Sequence, residues 1–199
     1  MNKQDIIDYF EKHAASWDDE MIRSDEIIGI ILDNAGVHCG SRVLDVACGT
    51  GVLIPDYLKR GVSSVAAVDI SPEMIKIARA KFPQDNLRFI CGDAESAELG
   101  SDYDAIVIYN AFPHFPEPEK IIARLSSLLA PGGILTVAHG MSREQIDRHH
   151  HGSAQHVSRG LMHEEELKAI FEKHLEVTTV VSDDRMYQVA GRRRLTGTV

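Results

Sequence analysis

The run Val43-Leu44-Asp45-Val46-Ala47-Cys48-Gly49-Thr50-Gly51 reads as an apolar strand entering a glycine-rich turn. Glycines in such a turn let the backbone pass close to a ligand. The competing reading is a tight strand-to-helix turn with no ligand, because a lone glycine-rich turn is a weak signal. Two acids sharpen it. Asp69 ends the next strand, where a carboxylate can accept hydrogen bonds from both hydroxyls of a ribose. Its alternative duty is to cap the helix that begins at Ser71-Pro72. Asp93, in Cys91-Gly92-Asp93-Ala94, ends a third strand. It can accept from an adenine amino group while the next backbone N–H meets a ring nitrogen, or it can make an ordinary Asx turn. Tips of successive strands in an open α/β sheet line the crevice where such sheets bind ligands.

Histidines supply the second kind of chemistry. His114 falls just past the fourth strand, with Tyr109 and His139 at neighbouring strand ends. An imidazole there can act as a base or orient an acceptor. A loop histidine bonded to backbone is the plainer reading. His149, His150, His151 and His156 cluster after the fifth strand, flanked by His139 and His163. Imidazole is the commonest metal ligand, but no i, i+4 pair and no Cys or carboxylate stands at ligand spacing. A solvated loop competes with a substrate cap in which His149, His150 or His156 holds a metal or a chelating substrate; no metal site is assigned. Cys39, Cys48 and Cys91 are sparse and unpatterned, as in a reduced compartment. Cys48 reads as a small turn filler and Cys91 as core.

The elements that position these groups alternate. Apolar strands are expected at Arg42–Val46, Ser64–Asp69, Leu87–Cys91, Tyr103–Tyr109 and Ile134–His139, and helices at Val52–Arg60, Pro72–Phe82 and Pro118–Leu129. Alternation of this kind implies βαβ units and a parallel sheet covered on both faces. Two helices precede it. Ile6, Ile7, Phe10 and Ala14 share a face, and Ser24 caps a helix carrying Ile27, Ile28 and Ile31. Pro131-Gly132-Gly133 marks a stop and turn. Past Gly140, Ser142 and Gln145 form a capping box, and 149–160 reads as loop. Glu164–His174 is helical, and strands Glu176–Ser182 and Arg185–Arg192, joined at Asp183-Asp184, must be antiparallel.

The chain has 199 residues, 44% of them hydrophobic, which fits one globular domain. Its net charge of -9 argues against a nucleic-acid surface. No apolar run approaches the roughly 20 residues of a membrane span, and the polar N-terminus is not a signal peptide. The expectation is a cytoplasmic monomer or homodimer with a small-molecule partner, binding neither nucleic acid nor membrane.

From Arg42 to Gly133 the chain resembles class I S-adenosylmethionine (SAM)-dependent methyltransferases, in the branch of ubiquinone and menaquinone biosynthesis. The matching pieces are Leu44-Asp45-Val46-Ala47-Cys48-Gly49-Thr50-Gly51, Val68-Asp69-Ile70-Ser71-Pro72-Glu73-Met74, Gly92-Asp93-Ala94, Asn110-Ala111-Phe112-Pro113-His114-Phe115 and Leu129-Ala130-Pro131-Gly132-Gly133. Tyr9-Phe10-Glu11-Lys12-His13-Ala14-Ala15-Ser16-Trp17-Asp18 resembles the lid helix of that branch. Ala47 departs from the glycine many relatives carry. The resemblance implies an α/β, Rossmann-like, seven-stranded and mostly parallel sheet of order 3-2-1-4-5-7-6, last strand antiparallel, with helices on both faces. It implies one domain: helical lid 1–38, SAM-binding core 41–140, His-rich cap loop 141–162, and C-terminal helix and hairpin 163–194. Asp45, Ala47, Gly49 and Gly51 would shape the methionine pocket. Asp69 would hold the ribose, with Ile70 beside it. Met74 would pack near the adenine, and Asp93 and Ala94 would read its edge. Asn110 and Ala111 would border the sulfonium. Tyr9 and Trp17 would close over the cofactor, since aromatic faces attract cations. His114 is the candidate catalytic residue. The implied activity is methyl transfer from SAM to a small molecule, leaving S-adenosylhomocysteine. The alternatives are a SAM-binding or metal-sensing module without catalysis, a subunit that needs a partner chain, and a nucleotide-dependent oxidoreductase. The last lacks support, since Val52-Leu53-Ile54 follows Gly51 without a third glycine.

Overall fold

A computed structural model of the chain describes residues 2–150 and 157–195, the side chains of Glu20, Asp147, His149 and His150 excepted. Seven strands form one sheet: β1 (Arg42–Val46), β2 (Ser64–Asp69), β3 (Leu87–Cys91), β4 (Tyr103–Tyr109), β5 (Leu129–His139), β6 (Glu176–Ser182) and β7 (Tyr187–Arg192). Their order is β3-β2-β1-β4-β5-β7-β6. β1 pairs in parallel with β2 and β4, β2 with β3, and β4 with β5. β7 runs antiparallel to both β5 and β6. The expected sheet order and antiparallel last strand are therefore present.

The central strands are apolar on both sides because both faces are covered. On one face Leu44, Val46, Ile106, Ile108, Leu135 and Val137 pack against α6 (Pro118–Leu128) and α8 (Glu164–Glu172). On the other, Val43, Val65, Ala67, Ala105 and Val107 pack against α3 (Asp25–Asn34), α4 (Ile54–Lys59) and α5 (Pro72–Lys81). The alternation of Val43 and Leu44 between the two cores is the strand period of two.

Capping places the helices as the sequence indicates. Ser24 Oγ accepts from Ile27 N, and Ser71 Oγ accepts from Met74 N ahead of Pro72. Ser142 and Gln145 form the expected reciprocal box, which starts α7 (Arg143–His150). Two short elements precede α3: α1 (Lys3–His13), and α2 (Trp17–Glu20), a turn the sequence did not announce.

Three expectations need correction. Pro131-Gly132-Gly133 is not a stop. β5 begins at Leu129 and runs through it, with a register shift opposite Tyr103 and Ala105. Gly132 N donates to Arg193 O, and Arg193 N donates to Gly133 O, so pairing with the chain's end satisfies this backbone. Cys91 is exposed rather than core, because β3 lies at the sheet's edge. The segment after Ser142 is helical up to His150, so the His-rich stretch is not loop throughout. Among the described residues, no helix is long and apolar enough to cross a membrane.

Candidate functional site

The C-terminal tips of β1, β2 and β4 and the segment after β3 converge on one cavity of about 410 Å³. That volume lies within the usual range for small-molecule sites. β1 delivers Asp45, which is 2% exposed, and its Oδ2 has no hydrogen-bond partner among the described residues. Burial first, and then the charge of Asp69, pushes its carboxyl well above the usual range. The turn after β1 is held open by backbone: Ala47 sits at φ 57°, and Cys48 N donates to Val68 O at 3.0 Å. Left-handed backbone at a non-glycine residue is uncommon and marks a position its surroundings must hold.

Asp69 ties this turn to β2. Its Oδ2 accepts from Gly49 N at 2.8 Å and its Oδ1 from Ser71 N at 2.9 Å. Burial raises its carboxyl, while the Ser71, Gly49 and Ile70 backbone N–H groups favour the charged form. Both readings of Asp69 thus meet in one side chain. It braces the loop before α5, whose N-cap is Ser71 itself, and it lines the cavity. A carboxylate has about four acceptor sites, so two backbone bonds leave capacity for a ligand.

Asp93 lines the cavity and makes the expected Asx turn, accepting from Glu95 N at 2.9 Å. Its second partner lies far away along the chain. Lys3 Nζ, from α1, lies 2.5 Å from Asp93 Oδ2 and 2.8 Å from Glu95 Oε2. Burial raises the Asp93 carboxyl, but the Lys3 ammonium and the Glu95 N–H outweigh that and hold it below the usual range.

α1 and α2 roof the cavity with Ile6, Tyr9, Phe10 and Trp17. The Phe10 ring stands edge-on to Trp17 at 5.4 Å and to His114 at 5.0 Å. Asp18 fastens the end of the roof, accepting from Thr50 Oγ1 at 2.5 Å and from Lys81 Nζ at 2.7 Å. Burial raises the Asp18 carboxyl, and those two partners bring it below its ordinary value.

Past β4, Asn110 adopts φ 53°, and its Oδ1 accepts from Gly140 N at 3.0 Å, which joins the tips of β4 and β5. A 3₁₀ turn, Phe112–His114, follows. His114 Nδ1 lies 2.7 Å from Val157 O. A carbonyl only accepts, so Nδ1 carries the hydrogen, and Nε2 is the nitrogen that takes a proton when the ring is neutral. His139, Met141 and Ile146 close the β5 side.

Of the residues singled out from the sequence, Tyr9, Trp17, Asp45, Ala47, Gly49, Asp69, Ile70, Met74, Asp93, Ala94, Asn110, Ala111 and His114 all line this cavity. Gly51 does not: it faces Phe82, and a Cβ there would come within 2.7 Å of that ring. Its φ of 88° serves the turn rather than the cavity. Cys48 is buried, and burial with the charges of Asp69 and Asp45 raises its thiol well above the ordinary value, so it is no nucleophile. His156 lies outside the described residues, as do the side chains of His149 and His150. Among the described residues, no cluster of three His, Cys, Asp or Glu is placed to hold a metal. Lys3, on a polar helix face, and Glu95, in the turn after β3, were missed because such charges look solvated until a partner far along the chain is placed.

Four carboxylates line the cavity, Asp45, Asp69, Asp93 and Glu95, against one lysine that is already paired. That donor set suits a ligand carrying positive charge and ribose hydroxyls, as SAM does.

Residues 43–133 match the family model described as a methyltransferase domain. Over 130 residues the chain is 32% identical to malonyl-[acyl-carrier protein] O-methyltransferase of Acetivibrio thermocellus, covering 64% of this chain and 46% of that protein. Over 110 residues it is 36% identical to demethylmenaquinone methyltransferase of Renibacterium salmoninarum, covering 55% and 45%. The chain spans about half the length of these curated relatives. Among solved structures, the methyltransferase chain of a Haloferax volcanii complex with the activator Trm112 superposes with a TM-score of 0.78. It is 19% identical, covering 98% of this chain and 99% of that one. A TehB-like SAM-dependent methyltransferase from Corynebacterium glutamicum gives 0.69 at 20% identity, covering 94% and 98%. With its sheet order, its strand-tip cavity and a methyltransferase-domain match over residues 43–133, the chain is similar to the class I SAM-dependent methyltransferases and shares their fold.

Proposed function

We propose that the chain transfers the methyl group of SAM to a small-molecule acceptor held at the β4–β5 end of the cavity. The observation that carries this reading is a single cavity with ribose- and cation-directed acids at one end and two histidines at the other. Asp69 would hold the ribose. Asp93 and Ala94 would meet the adenine edge between Ile70 and Met74. Asp45, Ala47 and Gly49 would surround the methionine end, where the unpartnered Asp45 oxygen suits an ammonium. Asn110 and Ala111 would border the sulfur, and Tyr9 and Trp17 would cover it. SAM supplies an electrophilic methyl group, so the protein's task is alignment and exclusion of water. His114 Nε2 is the group placed to take a proton from the acceptor.

Calorimetry with S-adenosylhomocysteine and SAM, followed by turnover against an acceptor panel, tests the reading. Micromolar binding with acceptor-dependent methyl transfer supports it. Tighter binding of a dinucleotide, or binding with no turnover, defeats it.

A second reading adds a partner. The Haloferax volcanii neighbour was solved in complex with an activator, and this chain matches it along nearly its whole length. On that reading the purified chain binds SAM but turns over only beside an activating subunit. Full turnover by the chain alone would remove it.

A further inference from the structure

We propose that the acceptor is a small, uncharged and largely apolar molecule whose nucleophile is a weakly acidic S–H or O–H group. The inference rests on the methyltransferase reading above and narrows it.

The sheet order places Asp93, after β3, and His139, at the end of β5, towards opposite ends of the parallel strands. All four lining carboxylates stand at or before β1 in that order or on the segment after β3, and Lys3 is paired to two of them. The β4–β5 end is built differently. Phe10, Met141 and Ile146 line it, and Tyr109, His114 and His139 are its ionisable neighbours. Among the described lining residues, no Arg or Lys stands there to balance an anion. A carboxylate or phosphate taken from water into this end would lose its hydration with no counter-ion among the described lining residues in return. Among the described lining residues a protonated amine would meet no carboxylate there, and it must shed its proton before it can attack. Uncharged apolar molecules meet neither penalty.

The rim agrees with the chamber. Met21 and Ile22 line the cavity's edge, and Ile22 is 64% exposed, one of few large apolar side chains left in water. An apolar acceptor buries such surface on entry.

The histidines specify the nucleophile. The Val157 carbonyl fixes Nδ1–H on His114, so a neutral ring presents Nε2 as a base. An imidazole held within reach can share or remove the proton of a thiol or phenol, which an alkyl alcohol gives up far less readily. As the acceptor's S–H or O–H bond breaks, its proton passes to the imidazole. Its electron pair forms the new bond to the methyl carbon, and the carbon–sulfur pair of the donor returns to sulfur. The products are a methylated acceptor, a neutral thioether and one protonated histidine that water later discharges.

The test uses the whole chain saturated with S-adenosylhomocysteine, whose own binding is measured first. Calorimetry then compares three benzylic probes: benzyl mercaptan, 4-(mercaptomethyl)benzoate and benzylamine. The expected result is at least tenfold tighter binding of the neutral thiol than of either charged probe. Equal or tighter binding of the benzoate or the amine, or no binding of the thiol, overturns the proposal. Failure of S-adenosylhomocysteine to bind would instead overturn the reading beneath it. With SAM present, methylation of benzyl mercaptan against 4-methylphenol separates sulfur from oxygen acceptors, and methylation of neither overturns the proposed nucleophile.

Discussion

At the scale of single residues, Asp69 does two jobs with one carboxylate. It accepts from Gly49 N and Ser71 N, which shapes the cavity floor, and it keeps acceptor capacity facing the cavity. Asp69→Asn retains the side-chain shape but loses the charge and trades an acceptor oxygen for a donor. Hydrogen bonds to charged groups contribute about 1.5–3 kcal/mol. S-adenosylhomocysteine affinity by calorimetry should therefore fall about 10- to 100-fold. An affinity within about twofold of the parent would show that no ligand hydroxyl meets this side chain. The cysteines give a second check. Cys48 is buried with a raised thiol, while Cys39 and Cys91 are exposed. Maleimide should label Cys39 and Cys91 in the folded protein and leave Cys48 for the unfolded one. Prompt labelling of Cys48, read by mass spectrometry, would mean that its turn opens.

At the scale of elements, the roof is held by polar fastenings at both ends. Lys3 bridges Asp93 and Glu95, and Asp18 binds Thr50 and Lys81. Partly exposed pairs of this kind contribute at most about 1 kcal/mol each, so the roof is the least secured part of the site. Asp93 and Asp18 both sit below their ordinary carboxylate range. A depressed folded value means stability that is present above the unfolded value and lost as pH falls through the folded one. Acidification below about pH 4 should therefore loosen α1 and α2. The buried Asp45 and Asp69 are shifted the other way, so a global melting curve mixes opposite signs. The local reporter is Trp17, the chain's one tryptophan. Its emission should shift red in that acid range before far-ultraviolet dichroism changes, and simultaneous change of both signals would refute a separately fastened roof.

The register shift near the start of β5 is the other element with a sharp requirement. A Cβ on Gly133 would lie 2.6 Å from Tyr103 O and 3.1 Å from Ala130 O, both backbone. Backbone cannot swing aside as a side chain does. Gly133→Ala should cost about 1–3 kcal/mol as overpacking, read as a lower denaturant midpoint with an unchanged slope. An unchanged midpoint would mean that the β4–β5 pairing tolerates a rearrangement not visible here.

At the scale of the whole molecule, two apolar cores sandwich one sheet, and the site sits at its rim, sharing Ala94 and Ile146 with one core and Cys48 and Leu53 with the other. Phe171 on α8 is fully buried in the core that includes Leu44 and Val189. Phe171→Ala should destabilise the fold by about 3–5 kcal/mol through lost burial and the cavity left behind. The same variant should bind S-adenosylhomocysteine with little change wherever it remains folded. Loss of binding in the folded variant would mean that site and core are not independent.

The strands, the helices and the strand-tip acids were legible because each rests on local rules. Buried central strands need apolar runs, helices need capping residues such as Ser24 and Ser71, and ligand-facing turns need residues that accept unusual backbone angles. β1, β2 and β4 were placed to the residue for that reason. Pro131-Gly132-Gly133 misled because the pairing that rescues its backbone comes from Arg193, some 60 residues onward. Cys91 misled because only the sheet order makes β3 an edge. Lys3 on Asp93, Phe10 on His114 and Val157 on His114 were equally invisible, since each joins segments whose meeting depends on the completed fold. The sequence by itself determined the central strands, the acids at their tips and the likeness to methyltransferases. Tertiary structure alone decided what roofs the cavity, which way the His114 proton points and how the described charges are distributed around the cavity, because those depend on distances between residues that no spacing along the chain encodes.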